Sequence, residues 1–302
     1  MERRTALPVT LNVRAALASV SVALILAILK GHAAWISGSV AMLGSLADTV
    51  LDIVASLATL YGVRLAARPA DRKHRFGHGK AEAIAALFQV VLISISAFGL
   101  IIRAIEQWIE GAETGAAHEG IAVSVLSLIL TGGLLLYQRR IIAQTGSVAI
   151  RTDNVHYQSD LLLNGAVIVA LVLDGFVGVT GADPLFGIAI ALWLAWGAWR
   201  ASGDAIDQLM DKEWPEEKRQ AFVRAVRCHP ELEGIHELRT RTSGDRDFVQ
   251  FHIWVDPAMT IGEAHRAMDA LEARLMAEFP DTEILINPEP TGQFDPKTEM
   301  TA

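Results

Sequence analysis

The chain has 302 residues, of which 52% are hydrophobic and 20% are charged, and its formal net charge is -8. Its mean hydropathy is positive, which is unusual for a water-soluble protein of this size and typical of a membrane protein. The single cysteine, Cys228, excludes a disulfide framework or a thiolate metal site within one chain.

Six apolar segments are long enough to cross the roughly 30 Å hydrocarbon core of a lipid bilayer as helices. They lie at about residues 13–34, 38–63, 82–105, 120–138, 153–174 and 183–203. The sequence therefore predicts an all-α transmembrane domain of six helices within residues 1–210. Residues 31–63, 104–138 and 152–199 contain no lysine or arginine. Because cytoplasmic loops are enriched in these residues, both termini are predicted to be cytoplasmic.

Two aspartates, Asp48 and Asp52, interrupt the second segment in "SLADTVLDIV". A carboxylate costs about 2.5–3.5 kcal/mol at the centre of a membrane helix, so a partner has to offset that cost. The fifth segment, "NVHYQSDLLLN", carries His156 and Asp160 at the same spacing of four residues. Each pair shares one helix face, and together they form a donor set suited to tetrahedral Zn²⁺. The alternative, a wet crevice or an ion pair between helices, leaves three carboxylates without a fixed cation.

The two segments also align without a gap. Gly38 and Gly146 each begin the tetrapeptide Gly-Ser-Val-Ala, and they precede Asp48 and His156 by ten residues. On the predicted topology the two segments run in opposite directions. Transporters use such inverted repeats to place a substrate site near the bilayer midplane.

A second cluster lies in the basic loop "PADRKHRFGHGKAE", where Asp71, His74 and His78 are spaced three and four residues apart. The spacing alone leaves two interpretations open, a metal site or a positively charged loop with incidental histidines. Phe76 and Gly77 indicate a defined turn and not a helix.

From about Asp211 the sequence becomes charged, with 19 acidic against 11 basic residues up to residue 302. An acidic domain argues against a nucleic-acid partner. The predicted order helix, strand, strand, helix, strand (αββαβ) indicates a small α+β domain over residues 211–291, ferredoxin- or metallochaperone-like, followed by a disordered tail at 292–302. The turn "SGDRD" predicts a hairpin between the first two strands.

The motifs "SGSVAMLGSLADTVLD", "DRKHRFGHGKAE" and "DNVHYQSD" together resemble those of the cation diffusion facilitators, in particular the bacterial subgroup that exports ferrous iron and zinc. The resemblance runs from the first segment to about Pro290. It implies a homodimer in the bacterial inner (plasma) membrane that is not an enzyme and that exchanges cytosolic Zn²⁺ for protons by alternating access.

The resemblance also implies roles for individual residues. The implied transport site is Asp48, Asp52, His156 and Asp160, the implied loop site is Asp71, His74 and His78, and the implied charge interlock at the dimer interface is Lys80 and Asp211.

In the cytosolic domain, members of the subgroup bind two zinc ions and have His and Asp where this chain has Asn287 and Glu289. An amide is a poor zinc ligand, so we expect one structural or regulatory zinc site, formed by His236, His252 and Glu289. A second site, which would need His265 and Asn287, is left open.

Three alternatives keep the predicted metal site but change the function. The first is export of Fe²⁺, Cd²⁺, Mn²⁺ or Co²⁺ by the same fold, since three carboxylates do not exclude Fe²⁺ or Cd²⁺. The second is a membrane metal-dependent hydrolase that activates water. The third is a metal sensor or non-transporting partner subunit.

Overall fold

The computed structural model describes residues 2–37, 40–110, 121–177, 182–227 and 234–292. The chain divides into two compact units, Met1–Ile206 and Asp207–Ala302. Of the predicted disordered tail at 292–302, residues 293–302 lie outside the described part, as do Gly38 and Ser39 of the first Gly-Ser-Val-Ala repeat.

The first unit is built from long helices. They are α1 (Glu2–Ser37), α2 (Val40–Ala66), α3 (Ala81–Glu110), α4 (Ile121–Thr145), α5 (Val148–Val177) and α6 (Ala182–Leu209). Within the described residues, five of them, α1, α2, α3, α4 and α6, are long and apolar enough to cross a membrane. The chain is thus a multi-pass membrane protein.

Helix α5 is the exception among these helices. It is 30 residues long, but its first half carries Asp153, His156 and Asp160 in place of apolar side chains. The apolar residues 167–177 of its second half lie outside the part of the chain whose side chains the structure describes, and α5 is not among the five apolar helices found in the described part. A sixth membrane span stays a prediction.

The helices pack closely through small residues. Helix α1 packs against α2 and α4, and α5 packs against α3 and α4. At Gly62 of α2, an added Cβ would lie 2.3 Å from the Cβ of Ala85 on α3. Only a glycine allows this close approach of α2 and α3, because any Cβ at that position would overlap Ala85.

The second unit contains α7 (Glu216–Arg227), β1 (Ile235–Ser243), β2 (Arg246–Val255), α8 (Ile261–Glu278) and β3 (Thr282–Pro290). The predicted αββαβ order is confirmed. The strands lie in the order β1-β2-β3, with β1 antiparallel and β3 parallel to β2. The predicted hairpin is also confirmed, and its turn places Gly244 at a φ of 65°, which favours glycine.

Both helices of this unit cover one face of the sheet. Alternate residues of β2 are buried together with side chains of α7 and α8, among them Phe222, Val249, Phe251, Ile253 and Leu271. Because neighbouring strand residues point to opposite faces, His252 lies on the face away from this core.

Candidate metal centres

Three groups of His, Asp and Glu have ligand atoms within 4.8 Å of one another in the part of the chain that the structure describes. All their members are residues that the sequence analysis singled out. The groups are Asp52, His156 and Asp160 in the helical unit, Asp71, His74 and His78 in the loop after α2, and His236, His252 and Glu289 in the second unit.

The helical cluster joins α2 to α5. His156 Nε2 lies 3.0 Å from Asp52 Oδ1, and the side chains of His156 and Asp52 are only 7% and 13% exposed. The spacing of four residues brings Asp160 to the same face of α5 as His156. One imidazole nitrogen and two carboxylates thus converge in a nearly enclosed position, a donor set that suits a divalent cation.

Asp48 lies apart from this cluster. It is exposed, and it does not belong to the group formed by Asp52, His156 and Asp160. Its position four residues before Asp52 places it about 6 Å further along α2, towards the end at Val40. Its role as a fourth ligand stays a prediction.

A fixed positive charge that the sequence motifs did not predict lies beside the aspartate pair. Lys30 of α1 donates from Nζ to Thr49 Oγ1 over 2.8 Å, and Thr49 lies between Asp48 and Asp52 on α2. A signal was available, because Lys30 lies inside the first predicted apolar segment. Intramembrane cations usually have an anionic or polar partner.

The loop cluster is organised by Asp71. Its Oδ1 accepts hydrogen bonds from the backbone N–H groups of Lys73 and His74, both over 2.7 Å. These bonds hold the pKa of Asp71 below its ordinary value, with that from His74 contributing most. His74 Nδ1 lies 3.4 Å from Asp71 and His78 Nε2 lies 3.5 Å from it. Gly77, at a φ of 83°, lies in this non-helical segment, so the predicted turn is confirmed.

The cluster in the second unit is centred on Glu289 of β3. His252 Nδ1 lies 2.7 Å from its Oε1, and His236 Nε2 lies 2.9 Å from its Oε2. The hydrogen bond with His252 lowers the pKa of Glu289; partial burial opposes this and the bond with His236 supports it. The strand register places His236 opposite His252. Two nitrogens and a carboxylate at these distances fit a zinc ion with one further coordination position.

The remaining predicted residues lie elsewhere. Asn287 Nδ2 is 3.3 Å from His252 Nδ1, so this amide contacts the cluster without adding an anionic ligand. His265 of α8 is exposed and lies 3.7 Å from Asp269. Lys80 and Asp211 belong to different units, and their interlock stays a prediction.

Comparison with known proteins identifies the family of the chain. Residues 16–210 match the family model of the cation efflux transmembrane domain, and residues 214–291 match that of the cytoplasmic domain of cation efflux proteins. The chain belongs to the cation diffusion facilitator family. The family prediction is thereby confirmed.

Individual relatives of this cation diffusion facilitator are similar over nearly their whole length. The cation-efflux pump FieF of Pectobacterium atrosepticum is 42% identical over 92% of both chains. FieF of Cronobacter sakazakii is 41% identical over 93% of this chain and 96% of its own. Among solved structures, a chain of a candidate zinc transporter, CzrB, matches 26% of this chain and 99% of its own at 32% identity, with a TM-score of 0.26.

Proposed function

We propose that this cation diffusion facilitator exports divalent metal, with Zn²⁺ as its main substrate, in exchange for protons. The observation that carries the proposal is the convergence of Asp52, His156 and Asp160 from α2 and α5 inside the helical unit. Asp48, one turn away on α2, completes the transport site when the metal binds. The relatives named cation-efflux pumps support the direction of transport.

The proposed topology has six spans, with α5 as the fifth. Helix α5 packs against α3 and α4, so its polar first half faces protein and not lipid, which is how intramembrane ionisable residues are tolerated. Both termini and the second unit lie in the cytosol of a bacterial cell, and the protein resides in the inner membrane.

The His156–Asp52 contact gives the proposed coupling a physical basis. Metal ligands have to be deprotonated, so protons and metal compete for the same atoms. A protonated imidazole of His156, 3.0 Å from Asp52, forms an ion pair with that carboxylate. Its positive charge then takes the place of the metal's charge within the same cluster. Protons that arrive from the acidic side therefore release the metal. The protonated site can then return to the cytosolic side without a metal ion.

The other two clusters have supporting roles in this proposal. The loop cluster holds a metal near the cytosolic entrance, and the cluster around Glu289 holds one regulatory zinc that tightens a homodimer. Lys80 and Asp211 form the charge interlock between the protomers near the membrane surface. The donor sets fit these metals, since each cluster contains two imidazoles and one carboxylate.

The decisive experiment is metal uptake into proteoliposomes at several pH values, with Zn²⁺, Fe²⁺, Cd²⁺, Mn²⁺ and Co²⁺ compared one by one. We expect Zn²⁺ to move with a proton gradient, and Asp52→Ala to lose at least about tenfold in rate because a ligand is removed. Asp204→Ala is the matched control, because Asp204 pairs with Arg151 on the surface of the helical unit.

The outcome separates the rival functions. Preferential transport of Fe²⁺ or Cd²⁺ would change the proposed substrate and leave the proposed transporter function in place. If no metal moves, or if Asp52→Ala transports as well as the parent, the proposal is wrong.

A further inference from the structure

One buried carboxylate of the helical unit is not part of the metal cluster. Asp153 lies three residues before His156 on α5 and is 0% exposed. Its Oδ1 accepts from Gln89 Nε2 on α3 over 2.8 Å. Its Oδ2 accepts from Ser19 Oγ on α1 over 2.6 Å and from Gln138 Nε2 on α4 over 2.7 Å. A single carboxylate thus links four helices.

A second buried carboxylate repeats this arrangement nearer to the loops. Glu82, in the first turn of α3, is 5% exposed. It accepts from Asn12 Nδ2 on α1 over 3.2 Å and from Ser147 Oγ, just before α5, over 2.6 Å. Helices α1 and α3 are therefore joined to the beginning of α5 twice, each time through a buried carboxyl group.

Both carboxylates lie in one half of the helical unit. We call it the loop half: the part between the metal cluster and the loops that join α2 to α3 and α4 to α5. Its apolar residues are also buried, including Ala15, Val63, Ala149 and Ile150. In the opposite direction along α2, Asp48 is exposed. The metal cluster is thus enclosed on the side of the loop half.

We propose that Asp153 and Glu82 are positioning residues for transport, which hold the loop half closed and have to exchange their partners for water when metal enters from that side. The inference rests on the proposed function in one respect, that the loop half faces the cytosol. A buried carboxylate is tolerated only while its donors are in place, and the loss of one donor leaves a large desolvation cost. Closure is therefore cooperative, because partial opening would leave the charges buried without partners.

The test uses the full-length protein in detergent, with Cys228→Ser to remove the only native cysteine. A reporter cysteine, Ala149→Cys, is placed in the loop half, and Ala97→Cys is placed in the buried contact between α3 and α6 as the control. A water-soluble maleimide then labels whichever position becomes accessible.

In Asp153→Asn the amide faces the Gln138 donor, so one hydrogen bond is lost. We expect labelling at position 149 to become about fivefold faster, the factor that corresponds to about 1 kcal/mol, with labelling at position 97 unchanged. Ser19→Ala, which removes a donor and leaves the charge, should act in the same direction. If neither variant changes labelling at 149, or if position 97 responds equally, the proposal is overturned.

A double substitution separates positioning from proton or metal binding at Asp153. The double variant Asp153→Asn with Gln138→Glu moves the carboxylate from position 153 to position 138, its hydrogen-bond partner. Each donor still faces an acceptor, because Asn154 Nδ2 already donates to Oε1 of Gln138. We expect labelling and transport to return towards the parent values. If transport stays lost while closure is restored, the charge at 153 is itself required and the positioning role is wrong.

This experiment and the uptake assay fail independently. Labelling that follows these predictions in a protein that moves no zinc would refute only the proposed function. Zinc uptake with unaltered labelling would refute only the inference.

Discussion

Glu289 is the residue on which the cluster of the second unit depends, since each of its oxygens contacts a different imidazole. Glu289→Gln keeps the shape and removes the charge. We expect it to lower zinc affinity at this site at least about tenfold and to remove one bound zinc per chain from a titration of the full-length protein. Glu283→Gln, on an exposed position of the same strand, is the control. An unchanged zinc stoichiometry would contradict the assignment.

The pH dependence of this site follows from the same contacts. Hydrogen bonds, first that with His252, hold the pKa of Glu289 below its ordinary value. The carboxylate is therefore ionised throughout the range in which imidazoles gain a proton. We therefore expect that protonation of Glu289 does not limit zinc affinity at this site near neutral pH.

Residue spacing in the sequence indicated which side chains converge, but not those that surround them. Asp52, His156 and Asp160 follow from the helical period, and the structure brings them together. The register that pairs His236 with His252 could not be fixed, because a β-bulge follows His236. The partners of Asp153 come from three other helices, and no pattern within α5 reveals contacts between distant segments.

The close approach of α2 and α3 at Gly62 is a property of the two helices together. Gly62→Ala would place a Cβ 2.3 Å from that of Ala85. We expect this overlap to destabilise the protein by about 1–3 kcal/mol, despite the better helix propensity of alanine. Gly99→Ala on α3, with nothing within 4 Å, should be neutral or stabilising by up to about 1 kcal/mol.

Thermal unfolding of the detergent-solubilised variants, followed by tryptophan fluorescence, measures both effects. Equal midpoints for Gly62→Ala and Gly99→Ala would contradict the close approach. The difference between the two glycines was not predictable from the sequence, because both lie in equally apolar segments. Hydropathy likewise predicted all six long helices, including α5 through the apolar segment at 153–174.

The two units of the molecule have separate cores. In the second unit the core draws on α7, β2, α8 and β3 together with Trp214, and all its members lie within residues 214–286. We therefore expect a fragment of residues 207–292 to be soluble and to unfold cooperatively, as measured by circular dichroism. A fragment without a cooperative transition would show that the core needs the helical unit. The change of charge pattern near Asp211 had placed the start of a second domain close to this division.

The parallel pairing of β2 and β3 has a consequence for the order of folding during synthesis. His236 and His252 lie on one hairpin and can meet as soon as it forms, but Glu289 reaches them only after α8 has crossed the sheet and β3 has paired with β2. Non-local parallel pairing forms late, because the chain between the strands has to be ordered first. The three side chains of this cluster are therefore brought together only after β3 has left the ribosome and paired, so metal capture at the proposed site would report that the second unit has folded.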